Sequence, residues 1–429
     1  MRILMCLFAC LLPCAAALAV PIKTPERLLL ALDRVAVGEA VAVDAALLGG
    51  VIDGTVVLER IELRAPGARV QVVRDGELAV LDYPRRKVFM GRRPGRESTR
   101  VGLLFDPVGL RLDGTLITAL GMQALHLSSD RGWQIEARGV DALLPTGVEL
   151  TQSCGNLALD QPDHASDQPP VPAGDALHAA RQGGLRYGVL ALDTDAEWLD
   201  KRFGNDEAAA TAYFEELMVA TNTVFESQLN LRMLQGPTIL RVGSDPYSQK
   251  DSSASRAHLD EFGAYWASNM DHIDRTHAAL ISGNSSSGNS AFGIAWLDTY
   301  CRTGAYGGSY SVNQLFHSAG VAVEKSAQLL AHELGHNLGS SHTHCYQPEI
   351  DQCYAAASGC YSGPVSCPAG SQGTLMSYCH VSSAGCGSNK FELHSRVESR
   401  LLQKVAANTP SCLGIMDENP PVFEDRFER

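Results

Sequence analysis

The stretch HELGHNLGSSH, His332 to His342, constrains the fold of this chain more than any other. His332 and His336 are four residues apart, so on a helix their imidazoles lie on one face and reach a single ion. Glu333 projects beside them, within reach of a water on that ion. Gly339 then lets the backbone turn out of the helix, because a left-handed conformation costs glycine no side-chain clash. His342 can thereby swing back as a third ligand. Three neutral imidazoles plus one open position form the donor set of a catalytic rather than a structural zinc site. Zinc would lower the pKa of its water towards ~7, with Glu333 taking the proton as the hydroxide attacks a polarised carbonyl. The competing account is a polar helix with stray histidines. With 40 glycines and 13 histidines in 429 residues, the added Gly339 and His342 make a chance match rare.

The surroundings suit such a site. AVEKSAQLLAHELGHNLG predicts a helix stopped by glycine. From about residue 185, LRYGVLALD, LNLRMLQGPTILRV and THAALISG read as strands. EAAATAYFEELMVATNTVFESQL reads as an amphipathic helix and SASRAHLDEFGAYWASNM as a second helix. Strands alternating with helices predict an α/β sheet domain. GIAWLDTYCRTGAYGGSYSVNQ is too rich in Gly and Ser for a helix and reads as edge strand plus loops. Residues 20–150 alternate polar and apolar between Asp-Gly and Pro-Gly turns, which predicts a β-rich domain. Within it, YPRRKVFMGRRPGRESTR (83–100) is strongly basic. It reads as a solvated hairpin face, with docking against an acidic partner surface as the alternative. The Pro- and Asp-rich stretch 160–184 reads as a linker, and the acidic tail 414–429 as disordered.

Arg2, an apolar run too short to span a bilayer with confidence, and Ala17-Leu18-Ala19 together predict a secretory signal peptide at 1–19. An uncleaved anchor, or a lipid on Cys10 or Cys14, is the weaker alternative. No later segment is apolar enough for a membrane span. A net charge of −13 argues against nucleic acid and anionic membranes as main partners. Export also makes sense of the cysteines. Cys6, Cys10 and Cys14 fall in the leader, and Cys301, Cys345, Cys353, Cys360, Cys367, Cys379, Cys386 and Cys412 crowd the last third as an even set suited to disulfides. Cys154, in TQSCGNLALD, is the odd one.

On these residues the chain resembles the metzincin metallopeptidases, whose signature H-E-x-x-H-x-x-G-x-x-H is followed by a methionine turn. GTLMSYC at 373–379 supplies Met376 for that turn; alone it would read as a core gap-filler. HELGHNLG and its cysteine-rich surroundings look most like the adamalysin (reprolysin) group, over about residues 185–413. The resemblance implies an α/β (α+β) catalytic domain with a mixed, mostly parallel sheet, an antiparallel edge strand above the cleft, a long zinc-binding helix and a small C-terminal subdomain. It places the peptide-binding edge strand near Gly293, Ile294, Ala295, Trp296 and Leu297, pairs Cys301 with Cys412, and implies one catalytic Zn2+. The family also admits structural Ca2+, for which no loop spacing speaks. Two positions depart from the group. Thr343 stands where Asp follows the third histidine, and the next residue, His344, could compete as a ligand, although the spacing from Gly339 favours His342. Tyr378 sits two residues past the turn methionine, as in astacins and serralysins, where such a tyrosine can ligate zinc and stabilise the oxyanion; a packing tyrosine is the alternative.

The expectation is a secreted zinc endopeptidase of protein or peptide substrates, made as a zymogen. A secreted binding or adhesion protein with a vestigial zinc-peptidase fold is the alternative, and the intact Glu333 speaks against it; a non-peptidase zinc hydrolase is a third account. The domains would be a signal peptide at 1–19, a β-rich pro-domain at 20–159, a linker at 160–184, the catalytic domain at 185–413 and the tail at 414–429. Cys154 would be either a buried thiol, an intermolecular disulfide partner, or an inhibitory zinc ligand that fills the open position and displaces the water. Adamalysin pro-domains resemble the last, carrying Cys-Gly near their end, although Gln152-Ser153 differs from their usual residues. The pro-domain would then be the enzyme's own intramolecular inhibitor. No dibasic site marks the linker, so Arg181, Arg186 or self-cleavage would serve maturation.

Overall fold

The structure is a computed structural model. It describes residues 20–128, 133–143, 150–157, 184–370, 372–381 and 386–416, without the side chains of 97, 141–142, 151 and 153–157. The expected leader, nearly all of the expected linker and most of the acidic tail lie outside the described residues.

Among the described residues the first helix is α1 (Pro25–Arg34), absent from the sequence expectation. Its signals were present. Thr24 accepts a bond from the Arg27 amide, proline occupies the first turn and Arg34 ends the helix. Strands follow in chain order: β1 (Ala40–Asp44), β2 (Thr55–Ile61), β3 (Val70–Arg74), β4 (Glu77–Leu81), β5 (Lys87–Arg93), β6 (Arg96–Asp106), β7 (Arg111–Thr118), β8 (Gly121–Ser128), β9 (Gln134–Gly139) and β10 (Thr151–Leu157). Seven of them form an antiparallel sheet in the order β1-β2-β5-β6-β7-β8-β9. Alternation gives this sheet two apolar faces. Val101, Leu103 and Phe105 of β6 pack with Leu28 and Leu32 of α1, whereas Val88, Leu104 and Ile117 join the core of the C-terminal half.

That half contributes β11 (Arg186–Thr194), α2 (Ala196–Phe203), α3 (Glu207–Leu229), β12 (Leu231–Val242), α4 (Arg256–Asn269), β13 (His277–Ser282), β14 (Ser290–Trp296), β15 (Tyr310–Gln314), α5 (Val323–Asn337), α6 (Ser395–Ala407) and the two-residue β16 (Gly414–Ile415). Strands β15, β13, β11 and β12 are parallel, and β14 runs antiparallel beside β15. Helices are capped where the sequence supplies the chemistry: Asp195 accepts from the Trp198 amide, Asp206 from Ala209, and Asn230 closes α3 in the left-handed conformation. The buried carboxylate of Asp193 holds this half together, bonding Arg241, Tyr247 and Trp266. Four disulfides, Cys301–Cys412, Cys345–Cys360, Cys353–Cys379 and Cys367–Cys386, staple the last third, including the pairing that the resemblance implied.

The two halves share one sheet. The β3–β4 hairpin of the N-terminal half adds to it, β3 pairing parallel with β12 and β4 antiparallel with β3. At the other margin β10 pairs parallel with β14. The full order is β10-β14-β15-β13-β11-β12-β3-β4, with β16 against the start of β11. Helix α3 corrects the amphipathic expectation. It is buried along most of its length because the N-terminal sheet covers the face that would otherwise meet water. Gly102 marks the closeness: a side chain there would strike Val219. The basic stretch is corrected as well. Arg86 is half-buried and bonds both Glu215 and Glu216 of α3, and Arg64 joins Glu215, so part of the hairpin face docks on an acidic surface of the chain itself rather than on a partner.

Candidate metal centre

His332 and His336 lie on α5, both buried, with rings 4.6 Å apart. The helix ends at Asn337; two residues on, Gly339 has a φ of +104° that suits glycine alone, and a side chain there would meet the Asp298 carboxylate. The turn returns the chain so that the His342 ring stands 4.6 Å from His336 and 5.3 Å from His332. One ring nitrogen of each histidine falls within 4.8 Å of the others. Carbonyls orient two of the rings: Nδ1 of His332 bonds Leu375 O and Nδ1 of His336 bonds Ser340 O, both at 2.7 Å. With Nδ1 donating, Nε2 of each presents its lone pair to the centre of the trio. Burial holds His332 and His342 well below the ordinary histidine range and His336 at about 4, so all three are neutral and suited to a metal. The donor set fits one zinc ion.

Met376 lies beneath the trio. Its sulfur would be 2.6 Å from a side chain on Gly335, so the glycine between the two helical histidines leaves room for the turn methionine. Thr343, the departure from the usual Asp, has a structural role. Its amide donates to Met376 O and its hydroxyl to Ser377 Oγ, which in turn donates to Asp351 at 2.7 Å. A carboxylate thus reaches this loop from Asp351 through a serine. His344 does not join the trio. Its ring stacks parallel to His342 at 5.4 Å and packs on Tyr354. The group it forms with His342 and Cys345 lacks a thiolate, because Cys345 is bonded to Cys360. The remaining group, Asp351 with Cys353 and Cys379, likewise contains a disulfide. Nothing among the described residues speaks for structural calcium. The Tyr378 ring packs 4.1 Å from that of His342, at the border of the centre.

Glu333 is buried against β14. A side chain on Gly293 would overlap its carboxylate, so glycine at 293 brings the strand's backbone onto Glu333. Gly293, Ile294, Ala295 and Trp296 all lie in β14, where the sequence placed an edge strand. The edge itself is covered: β10 lies along it with Cys154 in register with Gly293. The Cys154 side chain lies outside the described part of the structure. Asn337, which the sequence did not single out, ties the parts together. Its amide donates to Trp296 O, Tyr310 O and Thr299 Oγ1, locking the end of α5 to β14 and β15. Its signal was a polar residue one position past the second helical histidine, before the stop glycine.

Comparison with known proteins agrees with this geometry. Residues 186–392 match the family model Reprolysin_5, metallo-peptidase family M12. Among solved structures the chain is similar to metalloproteinase-II from Bacteroides fragilis, at 11% identity and a TM-score of 0.41, with 85% of this chain and 91% of that chain covered. That likeness carries no weight for the chemistry. M12 peptidases use zinc and cleave protein or peptide substrates. The match over residues 186–392 and the geometry of the site together support a metzincin-like zinc metallopeptidase.

Proposed function

We propose that the protein is a secreted endopeptidase made as a latent zymogen, with residues 20–159 as pro-domain, 160–184 as linker and 185–413 as catalytic domain. The observation that carries it is the convergence of three buried neutral imidazoles beside Glu333, with the strand that presses Gly293 on Glu333 covered by a strand from the N-terminal half. His332, His336 and His342 would hold the metal. Bound zinc supplies a Lewis acid for the scissile carbonyl and acidifies water. Glu333 accepts the proton of the attacking water and returns it to the amine nitrogen as the C–N bond breaks. The carbonyls and amides of β14 receive an extended substrate as an added strand. Tyr378, packed on His342, is placed to steady the developing oxyanion.

Latency follows from β10. While it occupies β14, a substrate strand pairs there only by displacing it, and its register brings the Cys154 backbone alongside Gly293, next to the base. From there the thiolate would take the open zinc position. The test uses the full chain, secreted and zinc-supplemented, with casein as substrate. The uncut wild type should be silent and uncut Cys154→Ala active, with chelation abolishing that activity. A Cys154→Ala chain that stays as silent as the wild type, yet cleaves once the linker is cut, would remove the cysteine from the latch.

A further inference from the structure

The carboxyl end of α5 is closed by a segment distant in the chain. The Asp298 amide donates to His336 O, and the amides of Thr299 and Tyr300 donate to Asn337 O, so the loop after β14 satisfies carbonyls that a helix end leaves without partners. The Gly339 amide donates to His336 O as well, which joins this loop and the Gly339 turn on one carbonyl of a proposed zinc ligand.

Asp298 has a left-handed backbone, with a φ of 57°. Asp and Asn take that conformation more readily than other residues with side chains, yet the turn by itself has no need of a charge. The charge has a place of its own. The Asp298 carboxylate lies against Gly339, with Oδ1 2.9 Å from where a side chain on that glycine would begin. Two cations of α6 reach it, Lys404 Nζ at 2.5 Å and Arg400 Nη2 at 3.7 Å. Arg400 Nε also donates to Gly339 O at 3.2 Å. The turn is thus held at its carbonyl by Arg400 and packed against a carboxylate that both cations fix.

This turn bears on two of the three imidazoles. Ser340 O orients His336, and the chain leaving the turn carries His342 to its place 4.6 Å from the His336 ring. All three charged side chains are only half-buried, and ion pairs so exposed add little to overall stability. Their effect is local.

We infer that Asp298, clamped by Arg400 and Lys404, is a positioning residue that sets the Gly339 turn and with it the hold of His342 on the metal. The inference rests on the zinc centre proposed above. With the clamp in place the metal-free trio already stands close to its binding arrangement; without it the turn has to be ordered on binding, at the expense of affinity.

The test measures the zinc affinity of the full chain by competition with a chromophoric chelator, beside the melting temperature of the metal-free protein. Asp298→Asn keeps the size and the left-handed tendency and removes the charge, so its metal-free Tm should stay near that of the wild type while its zinc affinity falls about tenfold. Lys404→Met should weaken zinc binding in the same way, and Lys404→Arg should keep it near the wild-type level. The double variant Asp298→Asn/Lys404→Met should bind no more weakly than the weaker of the two single variants, because both changes remove one clamp. A lower metal-free Tm with zinc affinity unchanged in Asp298→Asn and Lys404→Met would make the cluster a mere staple of α6; that result overturns the inference and leaves the zinc centre intact. Should Asp298→Asn fail to fold, Lys404→Met, altered at a half-buried position of α6, decides by itself. A wild type that holds no zinc overturns both.

Discussion

At the scale of single residues, the site is built as much by small side chains as by ligands. Gly293 brings β14 onto Glu333, Gly335 admits Met376 between the helical histidines, and Gly339 makes the turn that returns His342. Gly335→Ala should therefore lower stability by about 1–3 kcal/mol through overpacking against the methionine sulfur, read as a fall in Tm. The double variant Gly335→Ala/Met376→Ala should recover part of that loss, and a single variant as stable as wild type would show that the contact is slack. The three histidines and Glu333 were legible because metal chemistry fixes their spacing. Thr343 was visible only as a departure. Its partners Ser377 and Asp351 come from distant positions in the chain, and no local pattern announces them.

Among the elements, strands and helices of the C-terminal half were legible from periodicity, and β14 was placed by resemblance. The sequence did not show which strand pairs with which. Val70–Arg74 and Glu77–Leu81 fall within the stretch that reads as a β-rich domain of its own, yet they extend the other half's sheet, because alternation identifies the faces of a strand and not its neighbours. The same limit applies to β10, which occupies the edge expected for substrate. For α3, burial of nearly every face could not be told from an amphipathic pattern until its second cover, the N-terminal sheet, was known. Arg86 shows the point in charge. A basic run reads as solvated unless the acidic pair that it meets, Glu215 and Glu216, is recognised in another element.

For the whole molecule, the N-terminal half grips the shared sheet at both margins and covers α3 between them. Most of this contact lies away from the metal centre, so a cut in the linker should free β10 to leave β14 while the sheet over α3 keeps the two parts associated. The association should depend on pH. Thr115 of β7 donates to Glu324 of α5 across the contact, with Asp113 of β7 and Glu216 of α3 nearby and Arg86 and Arg111 beside Glu216. Burial pushes the Glu324 carboxyl up from 4.5 to about 7, helped by those two acidic neighbours. A carboxyl raised in the associated state is protonated there and ionised when exposed. Its contribution is therefore fully present below pH 4.5 and lost as pH rises to about 7. In gel filtration of the cut chain, more N-terminal fragment should co-elute at pH 5 than at pH 8, and Glu324→Gln should flatten the difference. Greater dissociation at pH 5 would contradict this assignment.

The central claim, a hydrolytic zinc centre built from His332, His336, His342 and Glu333, is tested most directly by comparing wild type with Glu333→Gln. Metal content and casein cleavage are measured on the same zinc-loaded, linker-cut preparations. Both proteins should hold one zinc per chain, and only the wild type should cleave, with a loss of about 10²-fold or more in the variant. A zinc-loaded wild type that leaves casein intact, or a Glu333→Gln variant that cleaves as fast as wild type, would contradict it.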